Sequence, residues 1–154
     1  MRVIIYSIIF LILAGCGFKI VNQSENQRYK INEIEFKGEN RINYFIKNKL
    51  LKKSNNESLN NEITLLVTTK KSKIIKEKNI KNEITKYEIS ITSIIVAKSK
   101  ENNSYEFNVS SIGDYSVSEQ NSITINNEKK LIKILSQDIA DKIITELDLT
   151  INDL

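Results

Sequence analysis

Residues 83–98 read EITKYEISITSIIVAK, and Tyr87, Ile89, Ile91, Ser93, Ile95 and Ala97 fall at every second position. A period of two places those six side chains on one face of a β-strand and leaves the other face to water. Upstream, Glu62 to about Ile75 (EITLLVTTKKSKII) opens with the same alternation at Ile63, Leu65 and Val67. Downstream, Ser104 to Ile125 carries Tyr105, Phe107 and Val109, then Tyr115 and Val117, around Gly113-Asp114. There Gly113 marks a bulge in one long strand or, with Asp114, a two-residue hairpin turn; the bulge is preferred. The middle of the chain is therefore three extended segments in a row.

The flanks change period. Residues 40–53 (NRINYFIKNKLLKK) set Ile42, Phe45, Ile46, Lys49 and Leu50 at i, i+3, i+4, i+7 and i+8, one face of a helix. Asn40, with Glu39 beside it, is an acceptable N-cap. Lys47, Lys49, Lys52 and Lys53 crowd the end, where the helix dipole favours positive charge, and Ser54-Asn55-Asn56 stops it. Residues 127–147 (NEKKLIKILSQDIADKIITEL) carry an apolar stripe of Leu131, Ile132, Leu135, Ile139, Ile143 and Leu147. Asn126 or Asn127 can cap this second helix, and Asp138 with Lys142 forms a supporting i,i+4 pair. Ahead of the first helix, Tyr29 to Lys37 (YKINEIEFK) reads as a strand whose phase slips near Asn32-Glu33, the mark of a bulge; Gly38 breaks it.

Strand, helix, three strands, helix is an α+β order. Its economical solution is a two-layer sandwich of about four β-strands with both helices on one face. The expected divisions are a signal segment 1–15, a polar tether 16–28, one domain 29–147, and a tail 148–154 that frays. The 154 residues supply one core and no room for a second.

Composition limits the chemistry. There is no His, Trp or Pro and one Cys, which excludes a His-based triad, a His/Cys zinc site and an intrachain disulfide. Neither a metal nor a cofactor is expected, apart from a covalent lipid on Cys16. Glu33 with Glu35, and Asp138 with Asp141, are the paired carboxylates; they read as a strand's solvent face and the flank of a helix stripe, not as a glycosidase pair. An enzyme is not expected. Ile, Lys and Asn make up 67 of the 154 residues, all with A/T-rich codons, so Lys and Asn enrichment is weak evidence of a ligand.

The start of the chain is more specific. MRVIIYSIIFLILAGC has Arg2, then a nearly unbroken apolar run of 12 residues from Val3 to Ala14. That is well short of the roughly 20 residues a spanning helix needs, and it has the form of a secretory signal. Leu13-Ala14-Gly15-Cys16 fits the bacterial lipobox at every position, with cleavage between Gly15 and Cys16. The small residues let the backbone enter a membrane peptidase. Cys16 would carry S-diacylglycerol and an N-acyl chain, and two chains suffice for firm anchoring. Gly17, where an Asp would favour inner-membrane retention, points to the outer membrane, with the domain in the periplasm.

One charge anomaly remains. Lys70, Lys71, Lys73, Lys76, Lys78 and Lys81 against Glu77 give +5 within residues 70–81. The segment falls where the second strand turns into the third. It could meet phosphates of an anionic glycolipid or an acidic partner, or be a solvated tip. Nucleic acid is not expected, given the export signal and the lack of interleaved aromatic residues.

Taken together, LAGCGF from Leu13 to Phe18, the element order, the GDYSV strand end (Gly113 to Val117) and the closing two-faced helix resemble the LptE family of lipopolysaccharide-assembly lipoproteins. The Pro often found after the Cys-Gly-Phe start is missing, and Lys stands in place of Arg. The resemblance implies a subunit seated in the lumen of LptD, a large outer-membrane β-barrel. There it helps the barrel assemble and deliver lipopolysaccharide to the outer leaflet. No binding residue is carried over from the family; the lysines at 70–81 are a reading of this chain alone. The alternative is a pilotin-like accessory lipoprotein that escorts a different barrel or a secretin.

Overall fold

The structure is a computed structural model that describes residues 29–53, 62–100 and 103–152. The expected signal segment, Gly15, Cys16 and the tether lie outside the described residues. Strand β1 spans Lys30–Lys37, helix α1 Asn40–Lys53, β2 Glu62–Lys78, β3 Ile84–Ser99, β4 Ser104–Ser116 and helix α2 Asn121–Asn152. The strands form one sheet in the order β1-β2-β3-β4. β1 runs parallel to β2 through the α1 crossover, and the other pairings are antiparallel, so the sheet is mixed.

Alternation decides which face is covered. Ile63, Leu65 and Val67 of β2, Ile89, Ile91, Ile95 and Ala97 of β3, and Val109 and Tyr115 of β4 are buried on one side. Against them lie Ile42, Ile46 and Leu50 of α1, and Ile132, Leu135, Ile139, Ile143 and Leu147 of α2. Both helices thus cover the same face, as the two stripes require. The phase slip in β1 is real: its register with β2 shifts between Ile31 and Glu33.

At the β1–α1 corner, Gly38 has φ +102° and passes so close to β2 that a Cβ would stand 2.1 Å from the Thr69 carbonyl oxygen. Only glycine fits there. Beside it the buried Thr69 hydroxyl donates to Asn43 Oδ1 at 2.7 Å, fixing the first turn of α1 to β2. The Glu39 carbonyl accepts from Asn43 N at 3.0 Å, so Glu39, not Asn40, is the N-cap.

Two further expectations need correction. β4 pairs with β3 without a break from Lys86–Ser116 to Lys98–Ser104, so Gly113 marks neither a bulge nor a turn. It makes room for α2: a Cβ at Gly113 would stand 2.8 Å from Leu131 Cδ1. α2 begins at Asn121, so Asn126 and Asn127 are not caps; the Gln120 carbonyl receives the first helical bonds, from Ile123 and Thr124. The six additional residues lack a buried stripe, with Ile123 and Ile125 exposed, which is why apolar periodicity does not report them. They are held by polar contacts instead, Ser118 N donating to Thr124 Oγ1 at 2.8 Å and Asn127 Nδ2 to the Ser116 carbonyl at 3.2 Å. The helix runs past Leu147 to Asn152.

Candidate functional site

β2 and β3 build a hairpin that outruns β1. The pairing of β1 with β2 ends at Lys37–Thr68, so from Thr69 onward the outer edge of β2 has no strand beside it among the described residues. The sequence at that point turns to KKSKIIKEK. Lysine on an exposed strand edge keeps other chains from adding to it, which gives the lysine enrichment a structural cause.

The lysines at 70–81 do not act as one free patch. Lys71 pairs with Glu39 at 3.1 Å. Lys76 reaches Asp114 at 2.8 Å and Glu88 at 3.5 Å, and Lys86 joins Glu77 to the same cluster at 2.9 Å. Lys73 is the most committed: its Nζ lies 2.7 Å from Glu128 and 4.3 Å from the centre of the Tyr87 ring. Tyr115, stacked on Tyr87, donates its hydroxyl to the same Glu128 at 2.8 Å. Burial pushes the Glu128 carboxyl up, but the hydrogen bonds from Lys73 and Tyr115 more than offset it and hold it below the usual carboxylate value. Burial likewise pulls Lys73 down, and the hydrogen bonds and charges of Glu128 and Tyr115 together more than restore it, leaving the ammonium above its usual value. This quartet ties the hairpin shaft to the start of α2.

Three lysines are left with no ion pair among the described residues: Lys70, Lys78 and Lys81. Lys78 donates only to the Asn82 side chain, at 3.0 Å. Lys78 ends β2 and Lys81 lies in the turn that follows, whose shape is set by Asn79. Its Oδ1 accepts from Lys81 N and Glu83 N, both at 2.9 Å, and Asn82 takes the left-handed φ of 65° that asparagine tolerates. Between them Ile80 is wholly exposed, at 104%. Sequence reading weighed the lysines and missed this residue. The available signal was an isoleucine placed between two turn-forming asparagines, where no fold requirement calls for one.

The uncovered face of the sheet is rich in hydroxyls. Rows across it read Thr68–Ile94–Asn108, Lys70–Thr92–Ser110 and Ser72–Ser90–Ile112. Ile74, Ile94 and Ile112 are exposed on it, scattered among polar neighbours. Glu33 and Glu35 are exposed on β1. Asp138 pairs with Lys142 at 2.7 Å, and Asp141 with Lys49. Among the described residues no group of three or more His, Cys, Asp or Glu could hold a metal ion, and no helix is long and apolar enough to cross a membrane.

No protein-family model matches the sequence, and no curated protein matches it either. Solved structures do match. Rare lipoprotein B from Shewanella oneidensis superposes with a TM-score of 0.58 at 14% identity, covering 79% of this chain and 98% of that one. An uncharacterized lipoprotein B from Nitrosomonas europaea gives 0.58 at 15% identity, over 88% of this chain and 93% of that one. A minor lipoprotein from Acinetobacter baumannii gives 0.57 at 15% identity, over 80% and 93%. At these identities the likeness is one of fold: this α+β sandwich is similar to bacterial lipoproteins along nearly their whole length.

Proposed function

We propose that this chain is an outer-membrane lipoprotein, anchored through Cys16 and facing the periplasm, that serves without catalysis as the plug and assembly subunit of a lipopolysaccharide translocon. Its partner would be a large β-barrel of the LptD type, and its cargo lipopolysaccharide. The observation that carries the reading is the fold shared with rare lipoprotein B, a name belonging to the LptE family, in a chain that also bears a lipobox at Leu13–Cys16.

Shape and surface support it. Sixteen residue steps from Glu62 to Lys78 make β2 roughly 50 Å long, about twice the apolar band of an outer-membrane barrel. A rod of that length fits along a barrel axis. The hydroxyl-rich sheet face suits a polar lumen wall better than a lipid or a dry protein interface. Within this reading Lys70, Lys78 and Lys81, with Ile80, are the groups available to an anionic glycolipid, while Lys71, Lys73 and Lys76 are structural.

Depletion tests the proposal. Loss of the protein is expected to leave the barrel misassembled and stop lipopolysaccharide from reaching the surface, measured by surface labelling and by barrel mobility in unheated gels. Normal surface lipopolysaccharide with a specific defect in secretion or piliation would assign the chain to the pilotin-like class instead.

A further inference from the structure

On the helix layer, away from the hairpin and the open sheet face, α1 and α2 leave a solvent-open groove of about 400 Å³. One end is aromatic: Tyr44, 62% exposed, meets Phe45 edge to face with ring centres 5.6 Å apart. Along the walls Asn48 on α1 and Gln137 on α2 line the cleft. Lys49 lies between the helices, its ammonium held by Asp141 and by the Gln137 carbonyl at 3.2 Å. Lys52 and Lys133 also line the groove, and neither has an ion pair among the described residues.

Lys52 also suits the last turn of α1, where the helix dipole favours positive charge, but neither the aromatic pair nor Lys133 is among the buried core residues. The core beneath is completed by Ile42, Ile46 and Leu50 on α1 and Leu135 and Ile139 on α2. We propose that this groove takes a short, extended, acidic peptide segment of a partner protein, with an aromatic or aliphatic side chain against Tyr44 and Phe45 and carboxylates at Lys52 and Lys133. Asn48 and Gln137 are residues whose side-chain amides can exchange N–H and C=O hydrogen bonds with a peptide backbone. Charge fixes the sign of the ligand: Asp141 offsets Lys49 alone, so the lining keeps a net positive charge. From Tyr44 to Lys52 the helix rises about 12 Å, the reach of roughly four extended residues. The site is separate from the plug reading and stands whether or not the barrel partner is found.

The test uses the full chain in a neutral detergent and two labelled peptides, acetyl-EFDEE-amide and its uncharged counterpart acetyl-QFNQQ-amide, read by fluorescence anisotropy. The acidic peptide is expected to bind and the neutral one to bind at least about fivefold more weakly, the effect of two exposed charge contacts. The double variant K52Q/K133Q should lose the same factor, while K78Q/K81Q on the hairpin should lose none. In a 1H–15N spectrum, the side-chain amide signals of Asn48 and Gln137 should move with the acidic peptide and stay fixed in K52Q/K133Q. Equal binding of both peptides, no binding at about 1 mM, or a loss confined to K78Q/K81Q would each overturn the proposal. So would competition by glucosamine 6-phosphate at matched charge, which would assign the groove to a phosphorylated sugar.

Discussion

Lys73 and Glu128 show how a charge that looks like a ligand contact can belong to the fold. The pair is about two-thirds desolvated on each side, 35% and 26% exposed, and closes a ring with Tyr87 and Tyr115. Solvent screening limits its worth, so Lys73→Met is expected to cost about 1 kcal/mol, seen as a fall of a few degrees in Tm. The acid limb gives a sharper test. Glu128 is held below the usual carboxylate value of 4.5 in the folded chain, so the unfolded chain takes up the proton first as pH falls. The stability it contributes is present above about pH 4.5 and lost as pH falls through the folded value. Glu128→Gln should therefore narrow its deficit against wild type below that pH, in urea unfolding followed by circular dichroism. An unchanged gap from pH 7 to pH 3 would remove Glu128 from the acid response. Gly38 gives the opposite kind of residue effect: with φ +102° and a backbone oxygen 2.1 Å from any Cβ, Gly38→Ala should cost at least about 3 kcal/mol. A loss under 1 kcal/mol in the same assay would mean that the corner can shift.

Elements were legible wherever a face was buried. α1 spans the residues its stripe marks, β3 alternates as read to within a residue, and the slip in β1 is a register shift at the predicted place. What escaped was structure held by polar contacts or by space. The first turns of α2 carry no apolar face, and the shaft of β2 past Thr69 is almost entirely exposed, so neither leaves a periodic trace. Pairing of the lysines with Glu39, Glu128 and Asp114 depends on neighbours up to 55 residues away, which spacing does not reveal. Gly113 was visible as an anomaly, but its cause is the approach of α2. That cause is testable as a coupling. Gly113→Val should overpack against Leu131 and cost about 2 kcal/mol; Leu131→Ala alone should cost about the same. If close approach is the reason for the glycine, the double variant will be at least about 1 kcal/mol more stable than the sum of the singles implies. Strict additivity would return Gly113 to a role in strand geometry.

At the scale of the molecule, the sheet register sets both ends. β1 and β2 start together, Lys30 beside Glu62, so the chain enters the domain at one end of the hairpin and Ile80 stands at the other, roughly 50 Å away. Tyr29, buried beneath the helix ends, marks the entry; burial and then the charge of Asp148 raise its phenol well above the usual range. An acyl anchor on Cys16 would hold that end at the membrane and raise the local concentration of the domain around a barrel. The tip would then reach past the bilayer only inside a lumen. A photo-crosslinking residue at Ile80 tests this geometry together with the anchor. In the lipidated protein it should capture a barrel or a glycolipid. In Cys16→Ser, which should incorporate no palmitate, capture should fall at least about tenfold, the lower end of what tethering contributes. Palmitate in the Ser variant would refute the anchor. Undiminished capture without palmitate would show that the barrel holds the domain unaided, and a wild-type tip that captures nothing would leave the long hairpin axis without its proposed purpose.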